Sequence, residues 1–126
     1  MKTAQNLAFD KPASSRTIKK ICALNDTLRR NLFSPNVPGE VILTAGVSAL
    51  LDSDRFSLLD EVRCFEDFNE DNDPYGEHDF GRIDFKGERF FFKIDYYAPD
   101  MRHGSKTPAG PKRTRRVLTI MRADEY

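Results

Sequence analysis

The chain has no tryptophan, only two cysteines and two histidines, and no net charge across its 126 residues. Each shortage removes a class of explanation. No apolar run reaches the roughly 18 residues that a membrane-spanning helix needs. Cys22 and Cys64 stand singly within apolar patterns, outside any CxxC or Cys/His ligand spacing. Both are expected to be reduced thiols buried as small hydrophobes, not a nucleophile or a zinc site. There is no GxGxxG and no Gly-rich phosphate loop. His103 sits in a Pro- and Gly-rich basic stretch, so Ser/His/Asp and Cys/His triads lack support. The opening "MKTAQNLAFDKPASSRT" lacks the apolar core of a secretory signal. It predicts a mobile leader over residues 1–13 and a cytoplasmic protein, followed by one domain over 14–126.

Neutrality conceals a segregation of charge. Residues 1–51 carry seven basic and three acidic groups, residues 52–79 carry eleven acidic groups against Arg55 and Arg63, and residues 102–122 carry seven basic groups and no acid. Such blocks attract each other, a partner, or both.

Local patterns place these blocks on elements. Ser14 and Ser15 can cap a first helix that runs to about Leu32, with Ile18, Ile21, Leu24, Leu28 and Leu32 forming one apolar stripe. Arg16, Lys19, Lys20, Arg29 and Arg30 fall mostly off that stripe and predict a basic, solvated outer face. "SPNVPG" breaks the chain, and "EVILTAGV" reads as a short buried strand. Asp52, Ser53 and Asp54 then supply caps for a second helix over about 54–67, whose apolar positions are Phe56, Leu59, Val62 and Phe65. From residue 80 the period becomes two. "DFGRIDF-KG-ERFFFKIDYY" predicts a hairpin that turns at Lys86-Gly87. Its second strand puts Phe90, Phe92, Ile94 and Tyr96 on one face. Arg89, Phe91, Lys93, Asp95 and Tyr97 take the other, which looks out or lines a groove. A basic loop over about 98–114 leads to a last strand, "RRVLTIMR". The expectation is an α+β domain: two helices packed on one face of an antiparallel sheet of about four strands.

The feature that asks for a function is "EDFNEDNDPYGEHDFG", Glu66 to Gly81, with seven carboxylates in sixteen residues. As an EF-hand it fails in both registers. Counting from Asp71 puts Arg82 where the closing Glu belongs; counting from Asp67 puts Asn72 at the Gly position and His78 at the Glu position. A looser cation site would draw on Asp71, Asp73, His78 and Asp79. Metal-assisted hydrolysis would use Glu77, His78 and Asp79 with Lys93 and Asp95 of the neighbouring strand, although Lys93 follows Phe91 and not the acid two positions earlier of a known nuclease pattern. Nucleic-acid binding would use Lys106, Lys112, Arg113, Arg115 and Arg116, with His103 and Tyr97 nearby, in a chain that is not basic overall. Protein binding would use the acidic and basic loops together as complementary charged surfaces. Glu66 and Asp67, placed at the C-terminal end of the second helix, add a charge cost that a simple turn does not need.

The segments "LNDTLRR", "VILTAGV", "FNEDNDPYGEHDFG", "GERFFFKIDYY" and "RRVLTIMRADEY" together resemble a family of small alphaproteobacterial proteins, domain of unknown function thirty-seven sixty-eight. The resemblance spans about Ile21 to Tyr126. It implies carriage on plasmids and integrative elements and favours element maintenance or counter-defence over metabolism; no catalytic residue comes with it. The expectation is therefore a cofactor-free, non-enzymatic module, a regulator or inhibitor that binds a protein partner. The candidate residues are Asp71, Asp73, Glu77, His78 and Asp79 in the acidic loop. Lys93, Asp95 and Tyr97 on the polar strand face join them, with Arg115 and Arg116 as basic counterparts.

Overall fold

A computed structural model describes residues 14–126; the leader expected over 1–13 lies outside the described residues. Ser14 caps α1 (Ser15–Arg30) by accepting the Thr17 amide on its hydroxyl. The strand expected over "EVILTAGV" splits. Only β1 (Glu40–Leu43) is extended, and the chain turns at Thr44 into the single turn α2 (Ala45–Ser48). Glu125 holds that turn by accepting from the Thr44 hydroxyl and the Gly46 amide. α3 (Asp52–Arg63) follows, then the hairpin of β2 (Phe80–Phe85) and β3 (Glu88–Tyr97), and β4 (Arg115–Arg122), which ends in a 3-10 turn at Ala123–Glu125.

The strand order is β1-β4-β3-β2. The α+β class stands, with one pairing different from the antiparallel expectation: β1 runs parallel to β4, Glu40 opposite Val117 and Leu43 opposite Ile120. A four-residue strand has too little alternation to declare its direction. It reaches β4 only by a crossover through everything between them, as parallel partners must. The hairpin turns at Lys86-Gly87, both at positive φ, as a two-residue connection of this kind requires.

One core forms where α1 and α3 cover the sheet. Ile21, Leu28 and Leu32 meet Leu58, Leu59, Val62 and Phe65 over Ile83, Phe90, Phe92, Ile94, Leu118 and Ile120. Phe65 meets both Phe68 and Phe92 edge-on, with ring centroids 4.9 and 5.2 Å apart. Such pairs add about 0.5–1.5 kcal/mol each beyond the area they bury.

Three local expectations change. The N-cap of α3 is Leu51, without a side-chain cap, and Asp52 and Asp54 lie inside the first turn, where they complement the helix dipole. Phe56 is 62% exposed because the inward face of α3 is carried by Leu58, Leu59 and Val62. The helix ends at Arg63, so Glu66 and Asp67 lie beyond it and the dipole penalty on them is weakened.

Arg29 explains how α3 can end in the interior. Expected on the solvated face of α1, it is fully buried, and its guanidinium donates to the Val62 and Arg63 carbonyls and to Asp26. These are terminal helix carbonyls that have no partner within their own helix. A cation is well placed there.

Gly81 of β2 faces the helices directly beneath the Phe65 and Phe92 rings, and a Cβ there would overlap the edge of Phe92. Gly81→Ala is therefore expected to lower the unfolding free energy by about 1–3 kcal/mol through overpacking. Chemical denaturation measures this; an unchanged midpoint would contradict the packing described.

Candidate functional site

The acidic loop is built by its own side chains. Asn69 Oδ1 accepts the Asp71 and Asn72 amides, Asn72 Oδ1 accepts the Asn69 amide, and Asn72 Nδ2 donates to the Asp67 carbonyl. Short Asn and Asp side chains favour such turns because they bond the backbone two or three residues away. Gly76 at φ +73° turns the chain back, and Asp73, buried, accepts the His78 amide at 3.0 Å. This inner bonding leaves Asp67, Glu70 and Asp71 exposed.

A buried polar network docks the loop to the domain. Asn25 of α1 is fully buried; its Nδ2 donates to the Glu77 carbonyl at 3.0 Å and to the Tyr96 hydroxyl at 2.7 Å. Its Oδ1 accepts from Arg116 Nε at 2.8 Å. The Tyr96 hydroxyl donates onward to Glu77 Oε1 at 2.7 Å. Arg116 lies over the Tyr96 ring and also donates to the Pro108 carbonyl, which anchors the basic loop to the same point. Burial raises the Glu77 carboxyl above its ordinary range, with the Tyr96 hydroxyl pulling the other way and Asp73 adding to the rise. Burial also lowers Arg116, against the attraction of Tyr96 and Glu77.

A groove of about 950 Å³ opens beside this network, around β2, one of the two edge strands of the sheet. Glu61, Asp67, Asp71, Glu77, Asp79, Asp84 and Asp95 face Arg82, Arg89 and Lys93 along it, among the rings of Phe65, Tyr75, Phe80, Phe91 and Tyr126. Seven carboxylates against three cations make it an acidic groove with an aromatic floor. Tyr126 rests on Phe80 and Phe91, with centroids 5.9 and 5.4 Å away. Lys93 Nζ pairs with the buried Asp95 at 3.0 Å.

The candidate residues separate into four places. Asp71, Glu77, Asp79, Lys93 and Asp95 line the groove. Asp73 and His78 turn the other way, towards α1. His78 Nδ1 lies 2.9 Å from Asp26, its Nε2 lies 3.7 Å from Asp73, and its ring stacks flat on Phe68 at 3.8 Å. Tyr97 and Arg115 face each other at the far end of the open sheet face, Tyr97 half-buried and Arg115 exposed. Arg116 is buried on the helix side of β4 and belongs to the Asn25 network, so the exposed cations of that region are Arg102, Lys106, Lys112, Arg113 and Arg115.

Several participants are not visible as motifs. Arg82, Asp84, Arg89 and Tyr126 reach the groove through strand alternation and through the turn that folds the last residues over the sheet. Cys22 and Asp26, four apart on one face of α1, meet His78. Both cysteines are unbridged, but the burial expected of them is only partial for Cys22 and absent for Cys64, which is exposed just beyond the end of α3. Burial, reinforced by Asp26, pushes the Cys22 thiol up to about 11, which makes it a poor nucleophile at neutral pH.

The model of the family described as "Protein of unknown function (DUF3768)" matches residues 43–125, and the chain belongs to that family. No curated protein and no solved structure matches the chain. Among the described residues, no helix is long and apolar enough to cross a membrane.

The network makes a test possible at Asn25. Asn25→Ala leaves the Tyr96 hydroxyl, Arg116 and the Glu77 carbonyl without their shared partner. It is expected to cost about 2–3 kcal/mol in denaturant unfolding and to speed proteolysis within residues 67–79. Loss of stability with no change in loop cleavage would break the link between the network and the loop.

Proposed function

For this member of the DUF3768 family we propose a non-enzymatic binding module whose acidic groove takes a basic, extended segment of a protein partner. The observation that carries this reading is the set of seven carboxylates and five aromatic rings gathered around an edge strand. Edge strands accept an added strand through main-chain hydrogen bonds, and flanking side chains then select the incoming sequence. Here the selection would favour Lys and Arg, with aromatic faces available to their cations and to apolar neighbours. In this reading the chain is a cytoplasmic regulator or inhibitor acting on a host or element-encoded protein. The reading takes the family to be carried on mobile elements, and that is the role such carriage favours.

A second reading, metal-assisted hydrolysis, is favoured by the meeting of Glu77, Asp79, Lys93 and Asp95 in the same groove. It loses His78, which faces α1. Among the described residues, the grouping that brings three ligand atoms within 4.8 Å is Cys22, Asp26 and His78, outside the groove. A melting-temperature rise with Mg²⁺ or Mn²⁺ that disappears in Asp79→Asn would favour hydrolysis over binding.

The binding reading is tested by fluorescence anisotropy with a labelled, unstructured peptide of alternating Lys and Val, and with its Glu–Val counterpart. The Lys peptide is expected to bind with an affinity that falls as salt rises. The Asp71→Lys/Asp84→Lys variant should weaken it roughly tenfold or more. Equal binding of both peptides, or an unchanged affinity in the variant, would contradict the reading.

A further inference from the structure

On the opposite side of the acidic loop from the groove, three side chains of different chemistry converge. Cys22 and Asp26 project from adjacent turns of α1, and His78 arrives from the loop. One ligand atom from each lies within 4.8 Å of the other two. Cys22 Sγ stands 3.7 Å from Asp26 Oδ2, and His78 Nδ1 stands 2.9 Å from Asp26 Oδ1. Zinc bonds of ~2.3 Å to sulfur and ~2.0–2.2 Å to nitrogen or oxygen, at tetrahedral angles, set ligand atoms roughly 3.2–3.7 Å apart. Cys22 Sγ and Asp26 Oδ2 already stand at that spacing, and with all three ligand atoms inside 4.8 Å the His78 ring needs only a small shift to complete it.

The histidine is held in place by more than this contact. His78 has φ +57°, a left-handed conformation that costs a non-glycine residue free energy and is kept only where its surroundings enforce it. Here the Asp73 carboxylate accepts its amide and Phe68 lies flat against its ring. The second Asp73 oxygen faces His78 Nε2 at 3.7 Å. A carboxylate that bonds the far ring nitrogen fixes the tautomer and direction of a metal-bound imidazole, and Asp73 stands just outside that reach.

We propose that Cys22, Asp26 and His78 form a binding site for a zinc-type divalent cation, with Asp73 orienting the His78 ring. A thiolate, an imidazole and a carboxylate form a donor set for zinc or cobalt, not for magnesium or calcium, which take oxygen ligands. Charge also favours a cation here. The Cys22 thiolate with Asp26 and Asp73 offers three negative charges to a dication, beside Arg29, which holds Asp26 Oδ1 at 2.9 Å, and the exposed Arg30, 3.9 Å from Asp26 Oδ2. Oδ2, on the Cys22 side, is the oxygen for the ion, with only the exposed Arg30 side chain to give way at 3.9 Å. All three ligands are half-buried at the surface of the domain, so water can complete the fourth position. A cation here would pin the acidic loop to α1, and the site stands independently of what the groove binds.

Titration of the metal-free full chain with Co²⁺ tests the proposal by absorption. Saturation at one equivalent is expected, with a thiolate-to-cobalt charge-transfer band and the intense visible bands of a four-coordinate site, both removed by competing Zn²⁺. Cys22→Ser should abolish the charge-transfer band, His78→Gln should abolish tight binding, and Cys64→Ser should change neither. Asp73→Asn should keep the band but weaken affinity roughly 10–100-fold. Circular dichroism verifies that each variant is folded. The absence of a charge-transfer band at stoichiometric Co²⁺, its survival in Cys22→Ser, or its loss in Cys64→Ser would overturn the assignment.

Discussion

The carboxamide of Asn25 joins four parts of the molecule that nothing else brings to one point. It sits on the inward face of α1, where the helical period calls for an apolar residue, and it is completely buried. With three hydrogen bonds it ties the helix to the Glu77 carbonyl at the end of the acidic loop, to the Tyr96 hydroxyl on β3 and to Arg116 on β4. A buried amide is costly unless satisfied, and a satisfied network specifies one arrangement of its partners. The loop leaves the domain after α3 and must return to start β2 in register. Asn25 and Tyr96 hold that return. One turn further along the same face of α1, Arg29 closes the carbonyl end of α3, so the departure of the loop is fixed from the same helix.

This anchoring gives the dense acidity of residues 66–79 a physical setting. Two of the loop's described ion pairs run to α1, Arg30 with Glu66 and His78 with Asp26, and a third, His78 with Asp73, lies within the loop. Of the basic partners in these pairs, Arg30 comes from the first basic block of the chain and His78 is the loop's own residue. Arg116 of the last basic block is linked to the loop through Asn25, which it shares with the Glu77 carbonyl, and through its attraction to the Glu77 carboxylate. Held in this way, the loop has two sides. One turns Asp73 and His78 inward to α1, and the other presents Asp71, Glu77 and Asp79 to the groove along β2. Residues adjacent in sequence therefore serve different surfaces.

The parts of this arrangement that could be read from the sequence are those set by a local period. The alternation through Phe90, Phe92, Ile94 and Tyr96, the Lys86-Gly87 turn and the Ser14 cap each follow from interactions between near neighbours, and each is found. The polar strand face was expected to look out or line a groove, and Lys93 and Asp95 do line one. What stayed hidden depends on distance in sequence. Arg29 and Asn25 are polar residues at core positions; their burial makes sense only once the α3 carbonyls and Tyr96 lie beside them. Arg116 is indistinguishable from Arg115 in the sequence, yet alternation sends one into the core and the other to the surface. The parallel pairing of β1 with β4 joins residues more than 70 positions apart. The meeting of Cys22 and Asp26 with His78 spans 52 residues from Asp26 alone.

The central claim is that the β2 edge and the acidic loop form one recognition surface for an extended basic segment. Amide hydrogen exchange, measured by NMR on the isotope-labelled chain with and without the Lys–Val peptide, tests it most directly. Added-strand binding predicts slowed exchange at amides of Phe80–Phe85, with shifts confined to the groove residues and the loop from 67 to 79. Shifts centred instead on residues 102–115 or on the outer face of α1, with β2 exchange unchanged, would contradict it.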